Sequence, residues 1–441
     1  MASLTLPGET VLARARELGS RGLPWVGKGS LAVLDQALIS GSNFLIGVLL
    51  ARWLIPEQYG AYALAFSIFL FLSGLHNALL LEPLSVLGPA TYGRCLPAYV
   101  GKLLKLHGIV AILLSCLVAA GILILYGFVA NPALVSALWG VCLAVPLVLF
   151  FWLCRRAAYV RLKPNLAAAG ASVYCLSVVG LLLLAEKLGW LSCLTAFLIQ
   201  ALAALAAASL LLASLRPQAN SPTGPSSSEV VRQHWQYSRW ALGTQFVYWL
   251  SGNAYYVIVA AFLQIQDAAA LRALQNFTVP FGQFLSALSL LVLPWASARF
   301  AQDGPRGFGR RIRQVTLWFV GLAAAYCTVL ALFGTPIMDL LYGGRYSKLA
   351  HLLPLVAAPV LVLAVSQGST IAVQAMQAPS EVFCAYSVSA GLTIVAGVAL
   401  ARHAGLTGAL IGMLLSSLTY GMVITWRFRK RLGKGSLAPT F

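Results

Sequence analysis

Long apolar stretches, with polar residues recurring at helical spacing, run along almost the whole chain. The clearest extends from Lys105 to Arg155 and contains no charged residue between its ends. About 20 apolar residues cross a bilayer as a helix, so this stretch can hold two spans, separated near Asn131-Pro132. Backbone groups in lipid must be hydrogen-bonded within the protein, and such stretches are therefore helical. The pattern predicts an all-α polytopic membrane protein.

The same pattern predicts about twelve spans over the whole chain. Their approximate bounds are 31–55, 60–82, 104–128, 134–154, 165–185, 190–213, 238–263, 268–297, 314–335, 350–377, 382–401 and 405–426. With the N-terminus in the cytoplasm, 24 of the 30 Lys and Arg residues fall in cytoplasmic segments and 6 in outer segments. Cytoplasmic loops collect positive charge, so both termini are expected inside. This bias explains the net charge of +19 without a nucleic-acid partner.

A polar segment, PQANSPTGPSSSE, divides the chain into two halves of six predicted spans. Its Pro, Ser and Gly content is typical of a flexible linker. A weak repeat at an offset of 210 residues (GSN at 41–43, SGN at 251–253) favours two pseudo-symmetric lobes around a central cavity. The predicted parts are a basic cytoplasmic segment (1–29), an N-lobe (30–214), a cytoplasmic linker (215–237), a C-lobe (238–426) and a basic cytoplasmic tail (427–441).

Polar side chains share one helical face in several predicted spans. Helix–helix hydrogen bonds use the same residue types, so any single stripe is compatible with packing alone. Stripes in the first span of each lobe favour a shared cavity, because amides and aromatic rings bind sugars and cations. The candidate cavity residues are Gln36, Ser40, Asn43, Gln245, Tyr248, Trp249, Asn253, Asn276, Gln367 and Gln374.

Three ionisable residues lie within or at the ends of apolar spans, where charge is costly. Asp35 and Glu82 are expected near the cytoplasmic mouth of the cavity, and His76 about two turns deeper. They are candidates for binding H⁺ or Na⁺ as a coupling ion. Simpler alternatives stay open: Asp35 reaching water, Glu82 pairing with a loop cation, and His76 as a hydrogen-bonded packing residue.

The sequence predicts no enzyme, cofactor or metal site. It contains no GxxxxGK[ST] phosphate loop, no GxSxG and no HExxH. A polytopic glycan polymerase or transferase, the alternative from another class, would need acids in an outer loop. The longest predicted outer segment, about 334–350, contains one acid, Asp339.

The segment ARWLIPEQYGAY at 51–62 resembles one in the polysaccharide and oligosaccharide (O-antigen-type) flippases of the multidrug/oligosaccharidyl-lipid/polysaccharide (MOP) exporter superfamily. The matching residues are Ala51, Arg52, Leu54, Pro56, Glu57, Tyr59, Gly60 and Tyr62. LYGGRY at 341–346 and the six-plus-six plan are also similar to that family. The resemblance implies a MATE-like fold and ion-coupled flipping of undecaprenyl-diphosphate-linked glycans across a bacterial inner membrane.

The resemblance also implies partners: the lipid-linked oligosaccharide, membrane lipids and other polysaccharide-assembly proteins. A diphosphate needs cations, and the candidates are Arg52, Arg239 and Arg272, all near predicted helix ends. A drug or toxin exporter of the same superfamily, with an organic cation as cargo, is the alternative within this fold.

Overall fold

The computed structural model describes the backbone of residues 7–126, 131–218, 224–376 and 378–434. The α-helices are α1 (Pro7–Trp53), α2 (Pro56–His76), α3 (Glu82–Ala90), α4 (Leu96–Tyr126), α5 (Pro132–Val160), α6 (Pro164–Lys187), α7 (Cys193–Leu215), α8 (Ser227–Gly252), α9 (Ala254–Phe262), α10 (Ile265–Gln275), α11 (Val279–Tyr342), α12 (Leu353–Ala375), α13 (Pro379–Leu392) and α14 (Val398–Lys434). One π-helical turn, Asn77–Leu81, joins α2 to α3, and another, Thr393–Gly397, joins α13 to α14.

The predicted basic segment 1–29 lies outside the described side chains. Residues 219–223 of the predicted linker and 435–441 of the predicted tail lie outside the described residues.

Several helices begin where the sequence supplies a proline or a capping side chain. Pro56, Pro132 and Pro164 lie in the first turn of α2, α5 and α6, where a missing N–H breaks no helical hydrogen bond. Before α5, the Asn131 side chain accepts a hydrogen bond from the Leu134 backbone N–H at 3.0 Å. The breaks between these helices therefore follow from local chemistry.

Helix α11, with 64 residues, folds back on itself. The Tyr326 hydroxyl donates to the backbone carbonyl of Phe277 at 2.6 Å, although the residues are 49 positions apart. A straight helix would separate them by about 74 Å at 1.5 Å per residue. The rings of Phe281 and Tyr326 are also close, with centroids 5.3 Å apart. The helix therefore consists of two antiparallel arms, as two separate predicted spans require.

By length and hydropathy, 9 helices within the described residues are able to cross a membrane, compared with the twelve predicted. Pro379–Gly433 counts once, although Ala404 and Gly405 have non-helical backbone angles between the two predicted spans. The seventh predicted span is broken at Asn253 between α8 and α9, and the eighth at residues 276–278 between α10 and α11. Neither of these two broken segments is among the 9 helices counted.

The predicted linker 215–237 is partly helical. Helix α8 begins at Ser227 because the side chain of Ser226 caps it, accepting a hydrogen bond from the Glu229 N–H at 3.2 Å. Residues 227–237 therefore belong to α8 and not to the linker.

The helical bundle has two ends. The motif end contains residues 52–60, 263–276 and 340–349, and the Asp35 end contains Asp35 and Glu82. Because α1 runs unbroken from Asp35 to Trp53, the two ends lie about 25 Å apart along that helix.

Two apolar cores show how the lobes are joined. The larger core contains buried residues of α1–α7 and also residues from the second half of the chain, among them Leu274 and Tyr342 at the motif end. The smaller core contains C-lobe residues alone, between Phe281 and Phe428. The lobes therefore share one core at the motif end, whereas part of the C-lobe has a core of its own.

Candidate functional site

Asp35 is fully buried and forms a salt bridge within the N-lobe. Arg155, near the end of α5, donates from Nε to the two carboxylate oxygens at 2.8 and 2.9 Å. Tyr159, one turn later, donates to the same carboxylate. The side chain of Asp35 is 0% exposed and that of Arg155 19%. The carboxylate thus does not reach water, and an ion bound there would have to replace Arg155.

A polar contact beside this pair joins the two lobes. Gln36 Nε2 and Ser40 Oγ both donate to Oε1 of Gln283 on α11, at 3.2 and 3.3 Å. Arg155 Nη2 donates to the Gln36 side-chain oxygen at 3.2 Å. Two predicted cavity residues are therefore placed between the lobes and are connected to the Asp35 salt bridge. Asn43, one turn further along the stripe, is half-buried.

Glu82 belongs to a second group of polar residues at the same end. Its Oε1 accepts a hydrogen bond from Asn77 Nδ2 at 2.8 Å, and it also interacts with Gln245 on α8 and with Arg156. Arg155 and Arg156 are adjacent in sequence but face different acids. The two candidate acids therefore interact with different arginines, Asp35 with Arg155 and Glu82 with Arg156.

His76 is fully buried and contacts a second histidine. Its Nε2 lies 3.0 Å from Nδ1 of His107 on α4. The other ring nitrogen of His107 is 3.1 Å from the Pro146 carbonyl on α5. His76 Nδ1 is buried without a hydrogen-bond partner.

The residues of the 51–62 motif form the contact between the lobes at the motif end. A Cβ on Gly60 would lie 1.8 Å from the Ile265 carbonyl oxygen, so only glycine allows α2 to approach α10 this closely. The Tyr59 hydroxyl donates to the Gly47 carbonyl at 3.0 Å. It also accepts a hydrogen bond from Asn276 Nδ2 at 3.2 Å. Asn276, a predicted cavity residue, is thus buried in this contact between the lobes at the motif end, which is called the closed contact.

Two arginines extend this contact across the motif end. Arg345 donates to the Leu54 carbonyl at 2.5 Å and Arg52 to the Leu340 carbonyl at 3.5 Å. Each arginine comes from one lobe and each carbonyl from the other. Glu57 is held within the N-lobe by a hydrogen bond from the Asn131 side chain at 3.1 Å.

Arg272 is the buried member of the three candidate diphosphate ligands. Its guanidinium lies 4.6 Å from the ring centroid of Phe66, in the other lobe. One Nη donates to the Tyr256 hydroxyl at 3.5 Å, and its Nε is buried without a partner. Arg52 and Arg239 are both exposed. Arg239 belongs to α8, so the described contacts do not join the three into one anion site.

The remaining predicted cavity residues are distributed over several contacts. Trp249 Nε1 donates to the Ser67 carbonyl at 2.8 Å, and Ser67 Oγ donates to the Asn253 carbonyl at 3.3 Å, both between the lobes. Tyr248 packs against the Tyr386 ring within the C-lobe, with centroids 5.2 Å apart.

Two further predicted residues are on α12. Gln367 donates to Ser289 at 2.8 Å, and Gln374 is exposed. Within the described residues, no contact brings all ten candidates to one surface.

Sequence reasoning missed three groups that complete these contacts: Arg155, Tyr159 and His107. The fourth predicted span ends at residue 154, which places Arg155 just outside it in a cytoplasmic segment. Arg155 lies inside α5, and its side chain contacts Asp35. Local sequence patterns do not indicate this contact, because the two residues are 120 positions apart in the chain.

No protein-family model and no curated protein matches the chain. Among solved structures, an inward-facing multidrug resistance MATE family transporter of the MOP superfamily superposes with a TM-score of 0.74 at 13% identity, over 92% of this chain and 98% of that one. A MOP superfamily transporter from Pyrococcus furiosus gives a TM-score of 0.66 at 12% identity over 93% and 95%. The outward-facing form of a multidrug resistance MATE transporter gives 0.63 at 12% over 93% and 95%. This chain therefore has the fold of the MATE transporters of the MOP superfamily.

Proposed function

We propose that this chain is a non-enzymatic transporter that flips an undecaprenyl-diphosphate-linked oligosaccharide from the cytoplasmic to the outer leaflet, for polysaccharide or lipopolysaccharide biosynthesis. Transport proceeds by alternating access and is coupled to H⁺ or Na⁺. The protein lies in a bacterial inner membrane with both termini in the cytoplasm, so the motif end faces outward. The MATE-type fold supports transport, and the resemblance at 51–62 supports the cargo class.

The observation that carries the proposal is that the motif residues themselves close one end of the interface. Gly60 allows α2 and α10 to touch, Tyr59 bonds to Asn276, and Arg345 bonds to the Leu54 carbonyl. A transporter needs a contact of this kind that forms in one state and breaks in the other. Together with the bond from Arg52 to the Leu340 carbonyl, these make three hydrogen bonds and one tight helix contact that can form and break as a unit.

The charge distribution favours an anionic cargo over an organic cation. Asp35 and Glu381 are buried acids, and each is compensated by arginine: Arg155 for Asp35, Arg427 and Arg431 for Glu381. Arg272 is a buried cation whose Nε has no partner. A diphosphate accepts hydrogen bonds from guanidinium groups, whereas an organic cation needs an acid that is not already paired. The exporter alternative draws its support from the multidrug MATE transporters of similar fold.

The deciding experiment compares the two cargoes with one preparation. The purified protein is reconstituted in liposomes with a fluorescent diphosphate-linked oligosaccharide in both leaflets, and flipping is measured by a quencher added outside. Uptake of an organic cation is measured in parallel. We expect flipping without cation uptake. Cation uptake without flipping would establish the exporter alternative, and neither activity under an H⁺ or Na⁺ gradient would refute both.

A matched pair of arginine variants tests the role of Arg272. Arg272→Gln should lower the flipping rate about 10- to 100-fold, because a hydrogen bond to a charged group contributes about 1.5–3 kcal/mol. Arg402→Gln is the control, since Arg402 also lies over an aromatic ring, that of Phe262 at 4.9 Å, but is exposed. It should flip the cargo at the wild-type rate. Equal rates for both variants would remove Arg272 from the cargo path.

A further inference from the structure

Three of the five histidines are buried close to the same helical turn. His76 on α2 and His107 on α4 contact each other, and His234 on α8 lies within two turns. The π-helical turn Asn77–Leu81 begins immediately after His76. Such a turn leaves backbone carbonyls out of the regular helical pattern and often marks functional positions.

The hydrogen bonds fix where each proton of the neutral pair lies. A carbonyl only accepts, so His107 must donate to the Pro146 carbonyl from Nε2. Its Nδ1 is then a lone pair, which accepts from His76 Nε2–H at 3.0 Å. His76 Nδ1 is consequently a bare lone pair, fully buried and without a partner. The pair therefore has one vacant basic position, and it is on His76.

The titratable and charged groups described around the His76–His107 pair do not hydrogen-bond to His76 Nδ1. His107 is the titratable group that faces His76 from α4, and Lys105, two residues earlier, is exposed on another face. From α5, Phe150 stacks on His107 with centroids 5.6 Å apart. The arginines at the end of α5 are engaged by Asp35 and Glu82.

On α8, Gln245 is neutral, and His234 precedes the predicted seventh span. Both ring nitrogens of His234 are engaged, Nδ1 by the Leu79 carbonyl and Nε2 by the Tyr99 hydroxyl, so this ring has no vacant basic position. Glu82, one turn and a half after His76, is the nearest acid along the chain and interacts with Gln245.

The π-helical turn connects this pair to the other half of the chain. Its carbonyls at Ala78 and Leu79 accept hydrogen bonds from α8: Ser238 donates to Ala78 at 2.8 Å and His234 Nδ1 to Leu79 at 2.9 Å. The Tyr99 hydroxyl lies 2.7 Å from His234 Nε2 and donates to it. A shift of the turn after His76 would therefore move or break the bonds that hold α8 to the N-lobe.

We propose that the His76–His107 pair is a proton-binding site and that its occupancy is transmitted through the π-helical turn 77–81 to the contact between α8 and the N-lobe. One proton from the aqueous phase binds the lone pair of His76 Nδ1, and no bond breaks. The resulting imidazolium is buried without an acid, which is costly unless the new N–H finds an acceptor. The helix must then rearrange, and the π-helical turn, whose carbonyls at Ala78 and Leu79 bind α8, begins at the next residue. This inference rests on the proposed function for its role in coupling, but not for the binding of the proton.

The first experiment measures proton binding without any cargo. Full-length protein labelled with ¹⁵N-histidine is titrated in lipid nanodiscs from pH 8 to pH 5, and the ¹⁵N shifts report the protonation of each imidazole. We expect one buried imidazole to take up a proton, and His76→Gln and His107→Gln each to abolish that titration. His351→Gln, which changes an exposed histidine, should leave it intact. If the His76 ring stays neutral down to pH 5, the proposal is refuted, whatever the cargo.

The second experiment measures transmission to the lobes. Spin labels at Val86→Cys on α3 and Arg429→Cys on α14, both exposed, report the distance between the lobes at the Asp35 end in a cysteine-free background. We expect the distance distribution to change between pH 8 and pH 5, and the change to be lost in His76→Gln and kept in His351→Gln. A pH response that persists in His76→Gln would refute transmission by this pair. Ser238→Ala should weaken the response while leaving the ¹⁵N titration unchanged, which a merely structural histidine pair would not produce.

Discussion

The salt bridge between Asp35 and Arg155 allows a quantitative test of how charge is held inside the N-lobe. The perturbation is a double-mutant cycle of Asp35→Asn, Arg155→Gln and the double variant. Asn keeps the shape of Asp35 and can still accept from Tyr159, but it leaves the charge of Arg155 without a counterion. Sequence reasoning predicts that Asp35→Asn inserts normally and transports poorly. Because Asp35 forms a salt bridge with Arg155, the stability of the Asp35→Asn variant is the first quantity to measure.

The contacts of the Asp35–Arg155 pair determine how much unfolding free energy each variant should lose. Asp35 is 0% exposed, Arg155 is 19% exposed, and Nε of Arg155 bonds the two carboxylate oxygens at 2.8 and 2.9 Å. Removing one partner of a buried pair destabilises a protein by roughly 3–5 kcal/mol. Because Arg155 is partly exposed, we expect the lower limit, about 3 kcal/mol for Asp35→Asn. The double variant removes both charges, so its loss should be well below the sum, with a coupling energy of about 2 kcal/mol.

The assay is reversible unfolding of the purified protein in mixed detergent and SDS micelles, followed by circular dichroism. Asp267→Asn is the control, because Asp267 caps α10 at the protein surface and its loss should cost no more than about 1 kcal/mol. If Asp35→Asn is as stable as Asp267→Asn, or if the single losses simply add in the double variant, the pair is not a coupled buried ion pair. Asp35 would then be free to act as an ion site by itself.

Three further outcomes are expected from the closed contact and the topology. Gly60→Ala should destabilise the protein by about 2 kcal/mol in the same unfolding assay, since its Cβ would lie 1.8 Å from a backbone oxygen. Gly41→Ala is the control: a Cβ there would have nothing within 4 Å, so the substitution should stabilise its helix slightly. Arg345→Gln should raise the accessibility of the motif end to thiol reagents, measured at cysteines placed there, and Lys348→Gln should not; equal labelling would contradict a closing role for the arginine. A cysteine at Pro225 should react with an impermeant reagent only after cells are opened, and labelling in intact cells would invert the predicted orientation.

The local chemistry of the chain determines much of the fold. The apolar stretches specify membrane helices because unpaired backbone groups cannot face lipid, and Pro56, Asn131 and Pro164 specify where helices begin. The polar residues at 36, 40 and 276 were recognisable as belonging to an internal surface, since helical spacing puts them on apolar helices. The resemblance of the 51–62 segment to the flippases predicts a functional motif there, and Gly60 and Tyr59 of this segment lie at the contact between the lobes.

Only the tertiary structure decided which of these groups meet. Asp35 and Arg155 are 120 residues apart, Gln36 and Gln283 are 247 apart, and His76 and His107 are 31 apart. Spacing along a helix predicts the face on which a side chain lies, but the partner on that face depends on how the helices pack. An acid in an apolar helix looks the same in sequence whether it faces a cavity, water or an arginine. Packing placed Arg155 against Asp35 and left His76 Nδ1 without a partner, because each helix presents its polar groups to a neighbour that local sequence does not specify.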